Sequence, residues 1–361
     1  MKLLCVIDCL GSGGAQRQLV GLAIALKKQG HNISFLVYYN ENFFEHLLLD
    51  EEIPVISIIE RNYIKRLFKM RRYIRSGNYD AVLSFLEAGS FICEISGLPW
   101  RKWKLIVGER SANPNILKSA KLIFYRLFHV LADHVVSNSQ ENINLIKKVN
   151  PFLSLKKCHV IYNLVDFDFW KPANDYVPCK DGKLNLTVVA SHQYLKNLKG
   201  LIEAASQLKE EEKQKLRINW YGNESTDNSL QEAKNLIEEY CLQEMFSFYP
   251  ATKSINEKMK YADVIGLFSF YEGLPNVICE GMVLSKPVIS SSVSDIAKLL
   301  SKNQELTFDP KKTKDILRTL KHIISLNEEK LLTIGKNNRE LALRYFSANK
   351  IVNNYTALLT E

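Results

Sequence analysis

Long hydrophobic runs are missing from this 361-residue sequence. The longest candidate, LIFYRLFHVLA at 122–132, is broken by Arg126 and falls well short of the ~20 residues that a membrane-spanning helix needs. A transmembrane helix is therefore not expected. The start of the chain lacks the unbroken apolar stretch of an export signal, since MKLLCVIDCLGSGG meets Asp8 and a glycine loop almost at once, which predicts a buried first strand. Cysteine is scarce and unpaired: seven residues, at 5, 9, 93, 158, 179, 241 and 279, with no Cys-x-x-Cys. An odd, scattered set lying mostly in apolar runs predicts reduced core thiols, with neither disulfides nor zinc. The histidines stand at no metal-ligand spacing, and no Asp-x-Asp pair ends a predicted strand, so no metal site is expected. Helix-turn-helix, RNP and zinc-finger patterns are also absent, which argues against nucleic acid as a partner.

What remains is a globular composition, 46% apolar and 24% charged, long enough for two domains. β-rich runs alternate with helical patterns: LLCVID, NISFLVYY, PVISII, YDAVLSFL, KLIVGE, HVVSNS and CHVIYN in the first half, then LNLTVVAS, RINWYG, MFSFYP, VIGLFSF, PVISSS and ELTF in the second. Two such series predict an α/β architecture of two doubly wound parallel-sheet domains. Between them, VDFDFWKPANDYVPCKDGK at 165–183 has prolines, clustered charge and no periodicity, and reads as the linker. Ligands of open parallel sheets bind at the carboxyl ends of the strands, so two facing sheets would share one cleft.

The net charge of +9 is uneven: residues 1–165 carry 22 Lys and Arg against 13 Asp and Glu, whereas the remainder balances. The densest segment, RNYIKRLFKMRRYIR, has Arg61, Lys65, Arg66, Lys69, Arg71, Arg72 and Arg75 with Ile64, Leu67, Phe68 and Ile74 at helical spacing beneath them. A basic amphipathic helix of this kind suits an anionic membrane surface. The plainer alternative is a solvated helix packed by its apolar stripe on the sheet.

Two motifs point to chemistry. Gly11-Ser12-Gly13-Gly14 lies between the first strand and a helical run, where backbone N–H groups approach an anion closely; it is neither a Gly-x-Gly-x-x-Gly fingerprint nor a P-loop, and a structural tight turn is its alternative. Glu272-Gly273-Leu274-Pro275-Asn276-Val277-Ile278-Cys279-Glu280 follows the strand VIGLFSF. Amides of its turn suit a diphosphate, and its two carboxylates suit sugar hydroxyls.

With these motifs in order, the chain resembles the retaining glycosyltransferases of family four, which have the two-domain GT-B fold. The resemblance spans GSGGAQRQLVGLA, GERSANP at 108–114, ADHVVSNS, VIYNLVD, SHQYLKNLKGLIEA and FSFYEGLPNVICEGMVLSKPVISS, and RYFSANKIVNNY looks like a closing helix that returns to the N-terminal domain. It implies an acceptor domain over 1–167 plus the returning helix 343–361, and a nucleotide-sugar donor domain over 168–342. It implies that Glu280 binds the donor ribose, that Glu272 faces the donor sugar, and that amides from Gly273, Leu274, Pro275 and Asn276 hold the diphosphate. Lys196 would neutralise the leaving diphosphate, Gly13 and Gly14 would close over the phosphates, and Glu109 and Arg110 would stand on the acceptor side. The family's usual arginine falls here on Ser191 or His192, so that His192, Lys199 or a basic group of the first domain would take its place. The implied reaction is metal-independent, retaining hexosyl transfer from a nucleotide-diphosphate sugar, with front-face attack and no covalent carboxylate intermediate. The implied setting is capsule, O-antigen (lipopolysaccharide) or related polysaccharide assembly on a lipid-linked glycan, at the cytoplasmic face of the membrane. A non-hydrolysing nucleotide-sugar epimerase and a catalytically weak donor-binding homologue are the alternatives.

Overall fold

The computed structural model describes residues 1–300 and 303–361. They form two compact units, Met1–Leu164 with Ala348–Glu361, and Val165–Ser347. In the first unit the strands are β1 (Lys2–Val6), β2 (Asn32–Val37), β3 (Val55–Ser57), β4 (Ala81–Phe85), β5 (Lys104–Glu109), β6 (His134–Ser137) and β7 (Cys158–Val160). They make one parallel sheet in the order β3-β2-β1-β4-β5-β6-β7. Alternate residues of each strand face opposite layers. Leu3, Cys5, Phe35 and Leu83 pack under the helices Gly14–Lys28 and Ala348–Thr360, while Leu4, Val6, Leu36 and Val82 pack under Tyr63–Ser76 and Glu87–Ser96. Burial on both faces explains why these strands read as continuous apolar runs.

The second unit is wound the same way from β8 (Leu184–Val189), β9 (Leu216–Tyr221), β10 (Phe246–Tyr249), β11 (Val264–Leu267), β12 (Val288–Ser291) and β13 (Thr307–Phe308), in the order β10-β9-β8-β11-β12-β13. Its core gathers Leu186, Val188, Ile218 and Trp220 against the helices Leu198–Ser206 and Thr313–Ser325. In each sheet the strand order reverses once, between β1 and β4 and between β8 and β11. That reversal opens a crevice at the carboxyl ends of the two strands, where open parallel sheets bind their ligands.

Two sequence-based bounds move. Residues 343–347, expected with the returning helix, belong to the second unit, where 343–346 end the helix Glu328–Phe346 and Ser347 caps it; Phe346 is fully buried and its carbonyl accepts from the Val165 N–H at 3.1 Å. The returning helix begins only at Ala348. The segment read as a linker is docked on the second unit: the Tyr176 hydroxyl and the Cys179 N–H donate to Asp263 Oδ1 at 2.8 and 3.0 Å, and the Lys286 ammonium lies 2.9 Å from the Tyr176 ring centre. All seven cysteines are free thiols.

Candidate active-site residues of the two units

In the second unit the loops after β8 and β11 flank the crevice. After β8 the chain makes a single 3-10 turn, Tyr194–Lys196, and then enters the helix Leu198–Ser206 through Asn197, whose φ of 55° is a conformation that asparagine takes at small cost. Its Oδ1 accepts from the Gly200 N–H at 3.2 Å and its Nδ2 donates to the Pro310 carbonyl at 2.8 Å, which fixes the residue before it. The Phe270 N–H donates to the Leu195 carbonyl at 2.9 Å, joining this loop to the segment after β11. The result is a close pair: Lys196 Nζ lies 2.6 Å from Glu272 Oε1, and the Ser269 hydroxyl donates to the same oxygen at 2.8 Å. Both side chains stay about one-fifth exposed, 20% for Lys196 and 18% for Glu272.

The turn Gly273-Leu274-Pro275 is buried, and Pro275 caps the helix Asn276–Val283 with φ of −73°. No acidic residue stands in that helix's first turn, so its start attracts an anion. Glu280 lies one turn further in, 5% exposed. Lysine, carboxylate, amide turn and buried carboxylate are thus neighbours along one crevice edge.

His192 is not part of that group. Its ring stacks near Trp220 at 6.1 Å and Phe248 at 5.6 Å, it is 2% exposed, and Nδ1 donates to the Asn223 carbonyl at 3.2 Å. Burial, the largest influence, pushes its pKa below the usual 6.5 and so favours the neutral ring, against the Asn223 carbonyl and Glu224, which favour the charged one. Lys199, the other proposed stand-in, is 65% exposed and 3.8 Å from Glu203.

In the first unit, Gly13 caps the helix Gly14–Lys28 with extended backbone, and no residue from Gly11 to Gly14 has positive φ. The glycines therefore leave room rather than make a strained turn: Ser12, Gly13 and Gly14 are exposed at a helix start without acidic residues.

Glu109 and Arg110 both have partners within the first unit. Glu109 is 4% exposed and both its oxygens are taken, Oε2 by Arg126 Nη2 at 2.8 Å and Oε1 by His129 Nε2 at 2.9 Å. Burial alone would raise its pKa, but the Arg126 guanidinium and His129 override it and hold the carboxyl at about 2. Both ring nitrogens of His129 face carboxylates, since Nδ1 is 2.7 Å from Glu94 Oε1. Burial opposes the charge, but the two carboxylates win and push its pKa up to about 9. Arg126 Nη2 also donates to Glu87 Oε1 at 2.9 Å. The chain Glu87, Arg126, Glu109, His129, Glu94 is a buried network in which each Glu109 oxygen already accepts one hydrogen bond. Arg110 Nη2 donates to the Tyr355 hydroxyl at 2.5 Å, with its guanidinium 3.9 Å from the Phe85 ring centre, which ties β5 to the returning helix. The sequence held a signal for this network, the arginine and histidine inside an apolar run at 122–132, but not its partners.

The basic helix is also rearranged. Arg66 is 6% exposed and lies over the rings of Tyr38, Tyr39 and Tyr63; Arg71 and Arg75 donate to carbonyls of residues 95–100; Lys69 pairs with Glu60 at 2.8 Å. Arg61, Lys65 and Arg72 remain exposed, and beside them Ile64 and Phe68 are 64% and 65% exposed rather than packed beneath the charges. Among the described residues no helix is long and apolar enough to cross a membrane.

Comparison with known proteins decides the family. Residues 12–169 match the model described as Glycosyltransferase Family 4, and residues 177–341 match that described as Glycosyl transferases group 1. The chain belongs to glycosyltransferase family four. This glycosyltransferase is 25% identical over 378 residues, covering 100% of the chain and 99% of the relative, to the Campylobacter jejuni protein named GalNAc-alpha-(1->4)-GalNAc-alpha-(1->3)-diNAcBac-PP-undecaprenol alpha-1,4-N-acetyl-D-galactosaminyltransferase. It is 25% identical over 295 residues, 80% of each chain, to the amylovoran biosynthesis glycosyltransferase AmsD of Erwinia amylovora. The Anabaena protein HepE, solved with UDP and glucose, superposes with a TM-score of 0.87 at 17% identity, over 100% of this chain and 99% of that one. Both sheets therefore belong to a GT-B fold, and the glycosyltransferase groups with enzymes of bacterial polysaccharide biosynthesis.

Proposed function

We propose that this glycosyltransferase transfers a hexosyl group from a nucleotide-diphosphate sugar to an acceptor hydroxyl with retention, on a lipid-linked glycan of bacterial surface polysaccharide assembly. The observation that carries the reading is the Lys196–Glu272 pair, 2.6 Å apart beside the turn 273–276 and the buried Glu280. With donor bound, the Lys196 ammonium turns to the departing diphosphate and Glu272 to the sugar hydroxyls, while amides of residues 273–276 hold phosphate oxygens and Glu280 holds the ribose. Fixed donors aimed at developing charge supply most of the acceleration in such transfers. No metal is required, because lysine and amides meet the diphosphate charge. Solved structures of this fold with UDP, and a relative named for an undecaprenyl diphosphate acceptor, support the donor and acceptor classes.

The acceptor lipid fits a peripheral position on the cytoplasmic membrane face. Exposed Ile64 and Phe68 enter the interface, and Arg61, Lys65 and Arg72 meet anionic headgroups at about 1 kcal/mol each. A screen of UDP-, GDP- and ADP-sugars against a polyprenyl-diphosphate disaccharide ending in N-acetylgalactosamine, in buffer with EDTA, tests the proposal. One donor class is expected to give an α-linked product, read by the anomeric coupling in NMR. A β-linked product would remove retention, dependence on added metal would remove the metal-free mechanism, and free-sugar isomerisation would favour an epimerase.

A further inference from the structure

The two sheets reverse strand order at equivalent places, and in the second unit the loops after the two central strands carry Lys196 and Glu272. The equivalent loops of the first unit follow β1 and β4. The first holds Gly11–Gly14; the second opens directly on Glu87, the first residue of the helix Glu87–Ser96. We propose that Glu87 is the acceptor-contacting carboxylate of this enzyme, accepting hydrogen bonds from sugar hydroxyls, with Arg126 as its positioning residue. The assignment rests on the reading that the first unit binds the acceptor.

Three observations converge on Glu87. The residue before it, Leu86, has φ of 71°, a conformation that costs a leucine strain and concentrates at functional positions. Of the two Glu87 oxygens, the fully buried Arg126 guanidinium holds Oε1, at 2.9 Å. Oε2 accepts no hydrogen bond from the described residues, and the side chain is 27% exposed. A carboxylate clamped by one oxygen at a switch-point crevice, with the other presented outward, matches paired hydroxyls of a sugar and gives each a charge-assisted bond. Glu109 and, through it, His129 and Glu94 hold Arg126 in place, which explains why a fully buried cation is retained here.

Saturation-transfer NMR on the full chain tests this, with UDP present and with the methyl glycosides of glucose, galactose, N-acetylglucosamine and N-acetylgalactosamine as probes. Wild type is expected to saturate at least one glycoside. Glu87→Gln should weaken that binding roughly tenfold or more, the loss expected of a hydrogen bond to a charged group, with UDP signals unchanged. Arg126→Lys, which keeps the charge but not the forked reach, should weaken the glycoside by a smaller factor and spare UDP. Equal glycoside binding by wild type and Glu87→Gln overturns the assignment, as does wild type that binds none of the four. Joint loss of glycoside and UDP signals in both Glu87→Gln and Glu87→Asp makes the residue structural and also overturns it. Glu87-dependent glycoside binding without UDP binding removes the nucleotide reading and leaves Glu87 in place.

Discussion

Lys196 and Glu272 form a close, largely buried ion pair, and that pairing sets what each substitution does. On the proposed function Lys196 is the cation that meets the leaving group, so Lys196→Ala is expected to lower kcat by about 10²–10³ with little change in the melting temperature, a loss of the size seen when one stabilising donor is deleted. A change below threefold would place the leaving-group charge elsewhere. The buried network of the first unit gives a pH signature. His129 titrates at about 9 in the folded protein against 6.5 ordinarily, so its contribution is complete below about pH 6.5 and is lost as pH rises through 9. Buried Glu94, also raised, acts in the same sense. Glu109, held at about 2 against 4.5, contributes above pH 4.5 and loses that contribution only as pH falls toward 2. The unfolding temperature should therefore fall by about 4 °C or more between pH 6.5 and 9, and His129→Gln should flatten that slope. Identical slopes in both proteins would contradict it. Only part of this was legible from residues: Arg126 and His129 inside an apolar run signalled buried charge, but the sequence does not show that Glu109, Glu87 and Glu94 are their partners.

At the scale of the element, the helix Tyr63–Ser76 shows how periodicity gives type but not direction. Seven basic and four apolar residues predicted the helix, yet the sheet is contacted by Met70 and Ile74, while Ile64 and Phe68 stay outside. The reason is lateral packing: this helix lies against Glu87–Ser96, and Arg71 and Arg75 are drawn to the carbonyls that end that neighbour. Arg75 Nη1 donates to the Ser96, Leu98 and Trp100 carbonyls at 3.0 to 3.1 Å, so Arg75→Ala should destabilise the protein by about 1–3 kcal/mol, read by urea unfolding, without affecting vesicle binding. Paired Ile64→Ser and Phe68→Ser should instead abolish flotation with phosphatidylglycerol vesicles and leave stability within about 0.5 kcal/mol. Flotation that survives the pair would assign membrane contact to another surface. The strand-turn-helix at 264–283 was the most legible element, because proline, glycine and the abrupt change of period coincide there.

For the whole molecule, the sequence showed two wound units because each carries its own alternation of strand and helix, but it marked their border poorly. The stretch 165–183 looks unstructured only because it has no period of its own; its Tyr176 hydroxyl and Cys179 N–H are anchored on Asp263. The C-terminal helix Ala348–Thr360 completes the first unit, burying Ile351, Val352, Tyr355, Leu358 and Leu359 in the core under β1 and β4. At about 1.5–3 kcal/mol for each large side chain, its removal costs as much as a domain's whole stability of about 5–15 kcal/mol. A chain ending at Ser347 is thus expected to lose the cooperative unfolding of the first unit while the second still binds nucleotide. Retention of both transitions in calorimetry would refute that division of the core.

On the proposed function the second unit is a nucleotide-sugar donor site built around the carboxylates and the turn at 272–280. Calorimetric titration of the full chain with UDP, GDP and ADP, alongside Glu280→Ala, addresses it most directly. One nucleotide is expected to bind with a Kd of about 1 μM or tighter, and the variant to weaken it by about tenfold or more. Binding of none of the three, or equal binding by the variant, would contradict it.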